Sequence, residues 1–245
     1  MVNKLSSFID SASPTIPTSA SVKQTLVNEV IPALKLRFPL TPSSKPGPSP
    51  QTALLTTWVE VTRTLTTALP AAQLFPLVDL WRLAVLDAGV GSFCASSAGG
   101  AADPIQLLLV KGLSTLSAQD ATARNYILTL LRLLANAFST PALARNLLSG
   151  VGKRKGLTSI LVASLLHSDA PVRTAAASLA FNVAAHIQKH RLEQVRNKYG
   201  PFAASEDDGD WEVEVVSAVL EALQNEVQSE DIGESFKLIF NKNNY

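Results

Sequence analysis

Apolar residues recur every three or four positions over most of the chain that follows Gln51, which is the spacing of one buried face of an α-helix. Residues 52–69 carry large apolar side chains at this spacing, and residues 71–87 repeat the pattern after Pro70. No alternating run of apolar and polar residues is long enough to predict a strand. The sequence therefore predicts an all-α fold.

The same periodicity predicts further helices that are separated by short segments. Asp103 followed by Pro104 is a typical helix start, with the aspartate as the cap. Small residues predict a loop over 89–100, and flanking glycines predict a basic turn over 152–156. The predicted helices span residues 52–69, 71–87, 103–115, 117–138, 141–150, 157–167, 170–190, 211–227 and 230–240.

The first fifty residues have a different pattern. Residues 1–20 are polar, Val22–Leu36 form a weak helix that contains Pro32, and prolines crowd positions 39–50. Proline favours extended chain because it lacks a backbone N–H and restricts the residue before it. We therefore predict a flexible N-terminal segment and linker over residues 1–50 and a compact helical domain over residues 51–245.

Two of the predicted helices carry an arginine near their start and an asparagine in their middle. The asparagines, Asn136 and Asn182, are 46 residues apart. Asparagine is a poor residue for a helix interior because its amide competes for backbone hydrogen bonds. Armadillo and HEAT repeats have periods of about 40–47 residues. The spacing predicts an armadillo- or HEAT-like stack of helices, an α-solenoid, with one continuous core and a long concave surface.

Polar residues follow one side of each of these two helices, at intervals of three or four positions that place them together. Large apolar residues occupy the other side and point toward the predicted core. The two stripes consist of Asn125, Thr129, Arg132 and Asn136 on the first helix and of Thr174, Ser178, Asn182 and His186 on the second.

These stripes have the chemistry of a peptide-binding groove. A carboxamide both donates and accepts hydrogen bonds, so it can bind a peptide backbone without requiring a particular sequence. A neighbouring arginine offers a planar fork to a carboxylate, including that of a chain terminus. The alternative is that the asparagines join neighbouring helices or loops within the protein's own core.

Several cations outside the stripes are further candidates for contact with an acidic peptide. Those on the predicted basic turn either contact such a peptide or are simply solvated, and those on apolar helices either line the groove or extend to solvent. Arg173 stands near a helix start, where the helix dipole disfavours a cation, so we expect an anionic partner such as Asp169. The candidates are Arg82, Lys111, Lys153, Arg154 and Arg173.

Composition limits the possible partners. The chain has 245 residues, of which 47% are hydrophobic, and its formal net charge of +1 does not indicate a nucleic-acid-binding surface. Cys94 is the single cysteine, so no internal disulfide forms, which favours the cytoplasm or nucleus. Neither a secretory signal nor a bilayer-spanning apolar run is present, and we predict no membrane partner.

The sequence carries no recognisable catalytic or metal-binding motif. Motifs for a serine hydrolase, a phosphate loop, a dinucleotide site and a zinc protease are all missing. His167, His186 and His190 lack the cysteine or carboxylate spacing of a metal site. We therefore predict a protein that is not an enzyme and that has no metal and no cofactor.

Three segments together resemble the PUL domain. They read FPLVDLWRL over residues 75–83, NYILTLLRLLANAF over 125–138 and AAASLAFNVA over 175–184. This domain is the C-terminal domain of the phospholipase-activating and ubiquitin-fusion-degradation proteins, and it also follows thioredoxin-like or desumoylating-peptidase-like domains. The resemblance covers roughly residues 55–240.

The resemblance implies a six-repeat armadillo-like fold with a basic concave groove. In the family, that groove binds the C-terminal tail of the ubiquitin-selective AAA segregase (valosin-containing protein), which is acidic and has a tyrosine near its end. The positions that carry this role over are Arg132, Asn136 and Asn182, followed by Arg173, Lys111 and Arg82.

Three hypotheses follow from the sequence. The first is a monomeric, non-enzymatic adaptor that binds the segregase tail in ubiquitin-dependent protein turnover, in the cytoplasm or nucleus. The second is a helical scaffold that only holds a neighbouring thioredoxin-like or desumoylating-peptidase domain, which predicts no tail binding and an apolar patch on the convex face. The third, a thiol hydrolase that uses Cys94, lacks a histidine near the cysteine in sequence.

Overall fold

The computed structural model describes residues 2–12, 19–39, 45–96, 103–149, 151–196 and 210–225. These residues form helices and their connections, with no strand among them, and the helices pack against one another as an all-α helical repeat fold. The predicted fold class is confirmed. The α-helices are α1 Val2–Ser11, α2 Ser19–Gln24, α3 Ile31–Arg37, α4 Thr52–Ala68, α5 Ala71–Ala84, α6 Ala88–Ser96, α7 Pro104–Ser117, α8 Arg124–Ala137, α9 Pro141–Ser149, α10 Val151–Leu165, α11 Ala170–Arg196 and α12 Asp210–Asn225.

The chain divides into two compact units, Met1–Asn146 (unit 1) and Leu147–Tyr245 (unit 2). The division falls within α9. The sequence did not predict it, because the apolar periodicity is the same on both sides.

The described residues before Gln51 form several helices within unit 1, where the sequence predicted a flexible segment with one weak helix. A π-helical stretch, Thr25–Val30, joins α2 to α3, and Pro32 lies at the start of α3, where a missing N–H costs nothing. Helix α1 packs on α5, and the π-helical stretch packs on α4. The buried apolar residues of this segment are Leu5, Ile9, Val22, Leu26, Val30, Ile31 and Leu34.

Residues 45–50, which we call the strap, are free of helix as predicted, but hydrogen bonds hold them against the rest of unit 1. The Gly47 N–H donates to the Leu36 carbonyl at 2.9 Å. The Arg37 guanidinium donates to the Gly47 carbonyl at 3.3 Å. Residues 40–44 of the predicted linker lie outside the described residues.

The core of unit 1 is built around α5 and α8, which pack closely on each other. Trp58 of α4 stacks on Trp81 of α5, with ring centroids 3.8 Å apart and 11° between the planes. The Trp81 indole N–H donates to the Thr62 hydroxyl at 2.9 Å, and the Tyr126 hydroxyl donates to the Leu108 carbonyl at 2.6 Å. Burial raises the pKa of Tyr126 well above its usual value.

Two successive groups of helices repeat the same order. Helices α4, α5 and α6 and helices α7, α8 and α9 each comprise two long helices followed by one of nine residues. Asp103 caps α7 as predicted, because its carboxylate accepts from the Ile105 and Gln106 amides. The predicted loop over 89–100 is wrong where described. Its small residues form α6, in which Gly91 lies so close to Thr140 that no side chain fits.

Unit 2 packs α10 against both α11 and α12. The predicted basic turn over 152–156 is wrong, because these residues are the first turns of α10. A Cβ atom on Gly152 would meet nothing, so this glycine marks no tight turn. The predicted helix over 230–240 and residues 206–209 of the acidic segment lie outside the described residues.

No single helix in the described ranges is long and apolar enough to cross a bilayer. Two consecutive segments, Ala121–Ala137 and Pro141–Ser149, are long and apolar enough only when they are combined, and the chain bends by 113° between them.

Candidate functional site

The polar stripe on α8 lies on the side of the helix that faces away from the core. Asn125 and Arg132 are exposed, Thr129 and Asn136 are half-buried, and the opposite side is fully buried. Arg132 forms no hydrogen bond or ion pair with any other described residue. Its exposed side chain is placed as contact with an outside anion would require.

Asn136 is used within the fold. Its side-chain amide donates to the Arg82 carbonyl at 2.9 Å and so joins α8 to α5. The alternative interpretation, in which the asparagine connects neighbouring helices, describes this residue. Its side-chain Nδ2 is committed to this bond, whereas its side-chain Oδ1 has no partner among the described residues.

Arg82 is also engaged by its own helix. Its Nε donates to the Asp79 carboxylate at 2.7 Å, and both side chains are partly buried. Aspartate three positions before arginine on a helix is a pairing that the sequence already contained. A peptide carboxylate would have to compete with Asp79 for this cation.

Lys111 lies apart from the α8 stripe, in a groove between α4 and α7. The groove has a volume of about 250 Å³, and no residue of the α8 stripe lines it. The Lys111 ammonium has no anionic partner within the described part of the chain. The structure therefore does not bring Lys111 and Arg132 into one pocket. The lining residues are Thr66, Thr67, Gln106, Leu107, Val110, Lys111 and Ser114.

The candidates on α11 belong to unit 2. The Arg173 guanidinium donates to the carbonyls of His167 at 2.9 Å and Ser168 at 2.8 Å, and so holds the turn before the helix. The Ser178 hydroxyl donates to the carbonyl four residues earlier in its own helix, at 3.1 Å. Asn182 and His186 are half-buried, and each already takes part in a contact within the chain.

Lys153 and Arg154 are half-buried residues of α10 rather than members of an exposed turn. The Arg154 guanidinium lies 5.9 Å from the centre of the Trp211 ring, which is within the range of a cation–π interaction. Both residues already have contacts within the chain. The sequence did not predict this, because it gave no sign that Trp211 approaches α10.

A cluster of hydrogen bonds around Asp87, whose side chain is 1% exposed, was not predicted from the sequence. Asp87 accepts from Arg37 Nε at 2.5 Å, from the Ser49 hydroxyl at 2.8 Å and from the Val90 N–H at 3.0 Å. Burial tends to raise the pKa of Asp87, but these donors outweigh it and hold the pKa below its usual value. Aspartate just before the Ala88–Ser96 helix was the available signal, since it is a preferred cap.

The formal charges of the two units are opposite in sign. Unit 1 has eleven Lys and Arg against seven Asp and Glu, a net charge of +4. Unit 2 has ten against thirteen, a net charge of −3. The overall charge of +1 conceals this difference, which favours unit 1 as the partner of an acidic ligand.

The family model of the PUL domain matches residues 1–234 of the chain. The chain belongs to the PUL domain family. The predicted family is therefore confirmed, and the match includes the residues before Gln51, which the sequence predicted to be a flexible segment and linker outside the compact domain. The PUL domain is a protein-interaction module. Comparison with curated proteins and with solved structures gave no match.

The thiol of Cys94 lies fully buried in α6. A catalytic thiolate needs an accessible and electropositive environment. No group of three or more potential metal-ligating side chains occurs within the described ranges.

Proposed function

We propose that this PUL domain is a non-enzymatic adaptor that binds the acidic C-terminal tail of the AAA segregase, valosin-containing protein, in ubiquitin-dependent protein turnover. Membership of a protein-interaction family supports the general role. The observation that carries the specific proposal is Arg132, an exposed guanidinium on a polar helix face that has no partner among the described residues.

Arg132 suits an acidic tail for two reasons. A guanidinium binds a carboxylate through two parallel hydrogen bonds, which gives orientation as well as attraction. Helix α8 is also held rigidly, since its other face is buried against α5 and Asn136 anchors its last turn to the Arg82 carbonyl. A binding group on a rigid support loses little conformational entropy when the ligand arrives.

The Asn125 side chain and the side-chain Oδ1 of Asn136 extend the same face. Asn125 is exposed one turn before Thr129, whose hydroxyl donates to the Asn125 backbone carbonyl at 2.7 Å. The exposed amide can donate to and accept from a peptide backbone. We assign the tail backbone to these amides and the tail carboxylates to Arg132.

The direct test is a pull-down of the segregase by the full chain, with the intact segregase compared with a segregase that lacks its acidic tail. We expect capture of the intact protein and loss of capture after removal of the tail. Equal capture of both would contradict the proposal, because binding would then depend on another part of the segregase.

A second candidate function, a scaffold for a neighbouring catalytic domain, is favoured by one feature of unit 2. Val213, Val216 and Leu220 of α12 lie on one face of the helix and are 64%, 52% and 47% exposed. If the scaffold hypothesis holds, replacement of all three by serine should weaken binding of a separately added thioredoxin-like or desumoylating-peptidase domain. The scaffold hypothesis also predicts that the chain does not bind the segregase tail.

A further inference from the structure

The strap crosses unit 1 as an extended segment that is held at two points. At Gly47, both backbone polar groups are bonded, the N–H to the Leu36 carbonyl and the carbonyl to Arg37. At Ser49, the hydroxyl donates to Asp87 at 2.8 Å. The strap thereby ties α3 to the turn between α5 and α6.

Asp87 is the common acceptor of this arrangement. A buried carboxylate is stable only when charged or hydrogen-bonding partners replace its lost hydration. Arg37 supplies the charge, and the Ser49 hydroxyl and the Val90 amide complete the set. Removal of one donor, or addition of a second anion beside Asp87, would destabilise the cluster.

Ser49 combines exposure with a proline on its C-terminal side. Ser-Pro or Thr-Pro pairs occur at Ser13, Thr41, Ser49 and Thr140, and of these only Ser49 and Thr140 lie in the described residues. Thr140 is 6% exposed and lies against Gly91, so a kinase cannot reach it in the folded chain. Ser49 is exposed on a helix-free segment.

We propose that Ser49 is a phosphorylation site for a proline-directed protein kinase, and that its modification releases the strap. The γ-phosphoryl group of ATP is transferred to Ser49 Oγ. The bond from Pγ to the bridging oxygen of ATP breaks, an Oγ–P bond forms, the hydroxyl proton passes to the kinase base and ADP leaves.

Release follows from the charges. Phosphorylation removes the hydroxyl proton that Asp87 accepts and adds a charge of about −1.5 to −2 beside a buried carboxylate. Arg37 carries a single positive charge, so it cannot neutralise both groups. The phosphate moves toward solvent, and the strap leaves the surface with it.

The folded strap also opposes its own modification. A kinase active site binds its substrate as an extended segment. In the folded chain, however, the Gly47 N–H and the Ser49 hydroxyl are already hydrogen-bonded to Leu36 and Asp87. The strap must open before phosphoryl transfer, and phosphorylation then keeps it open. Variants with a weaker strap should therefore be modified faster.

The test treats the full chain with ATP and a proline-directed kinase, maps phosphate by mass spectrometry and measures hydrogen exchange. We expect phosphate at Ser49 and none at Thr140. Exchange at the Gly47 amide should accelerate on the order of tenfold. The Ser49→Ala variant should lose that phosphate and the acceleration.

Gly47→Ala is the matched variant for the opening step. A Cβ atom at Gly47 would overlap Leu36, so the strap is displaced. The variant keeps the residue that is phosphorylated, Ser49, and its acceptor, Asp87. We expect several-fold faster modification of Ser49. Phosphate found only at other positions would overturn the proposal. So would phosphate at Ser49 with unchanged exchange at Gly47.

Discussion

The two units differ in how their candidate cations are used. In unit 2, Arg173 binds backbone carbonyls, Arg154 lies over Trp211, and Lys153 also has contacts within the chain. In unit 1, Arg82 is paired with Asp79, but Arg132 has no partner among the described residues. A basic residue in the sequence is therefore a candidate ligand group only after its internal partners are known, and by this criterion Arg132 of unit 1 is the stronger candidate.

Charge reversal should show most clearly that the two units differ in how much their cations contribute to tail binding. Arg132→Glu removes a carboxylate partner and adds repulsion, so we expect about a hundredfold weaker binding of an acidic tail peptide, equivalent to about 2.7 kcal/mol. Lys155→Glu reverses an exposed cation of unit 2 and is the matched control. Calorimetric titration measures both. An equal loss in the control would show that net charge, rather than Arg132, determines binding.

The Asp87 cluster should make the stability of unit 1 depend on pH. Because the native pKa of Asp87 is lowered, its contribution to stability is present above the unfolded pKa of about 4 and is lost as the pH falls through the native pKa. Asp87→Asn should lower the free energy of unfolding by about 2 kcal/mol at neutral pH and reduce its acid dependence. Urea unfolding at pH 7 and at pH 3 tests this. An unchanged acid dependence would assign the effect to other carboxylates.

The smallest expected effect is that of replacing Asn136. This substitution tests whether the residue mainly joins α8 to α5 or mainly contacts the bound peptide. Asn136→Ala leaves the Arg82 carbonyl without its donor, so we expect a loss of about 1 kcal/mol in stability. Tail affinity should fall much less than in Arg132→Glu. If affinity fell as far while stability stayed constant, Asn136 would act mainly on the peptide.

The helices after Gln51 could be predicted because apolar periodicity and caps such as Asp103 are local signals. The helix over 88–96 was not predicted because its glycines and serines lower local helix propensity, although Val90, Phe93 and Cys94 stand at helical spacing. The N-terminal helices were undervalued for a similar reason, since Pro32 lowers local propensity but its position at a helix start removes the cost.

The candidate site was predictable in its residue types but not in their partners. The polar stripe on α8 follows from spacing alone, and the structure places it away from the core. The use of Asn136 by the Arg82 carbonyl is a contact between residues 54 positions apart, which no periodicity encodes. Periodicity does not encode the Ser49–Asp87 hydrogen bond either, because this bond depends on how the strap packs against the rest of unit 1.

The stacked indoles of Trp58 and Trp81 give unit 1 an optical property of its own. Two parallel aromatic rings at 3.8 Å couple their electronic transitions, so the pair should produce a strong near-ultraviolet circular dichroism signal that a lone indole lacks. The third tryptophan, Trp211, is in unit 2. Melting of unit 1 can thus be followed by the loss of the coupled signal, while the fluorescence of a Trp58→Phe, Trp81→Phe double variant reports on unit 2.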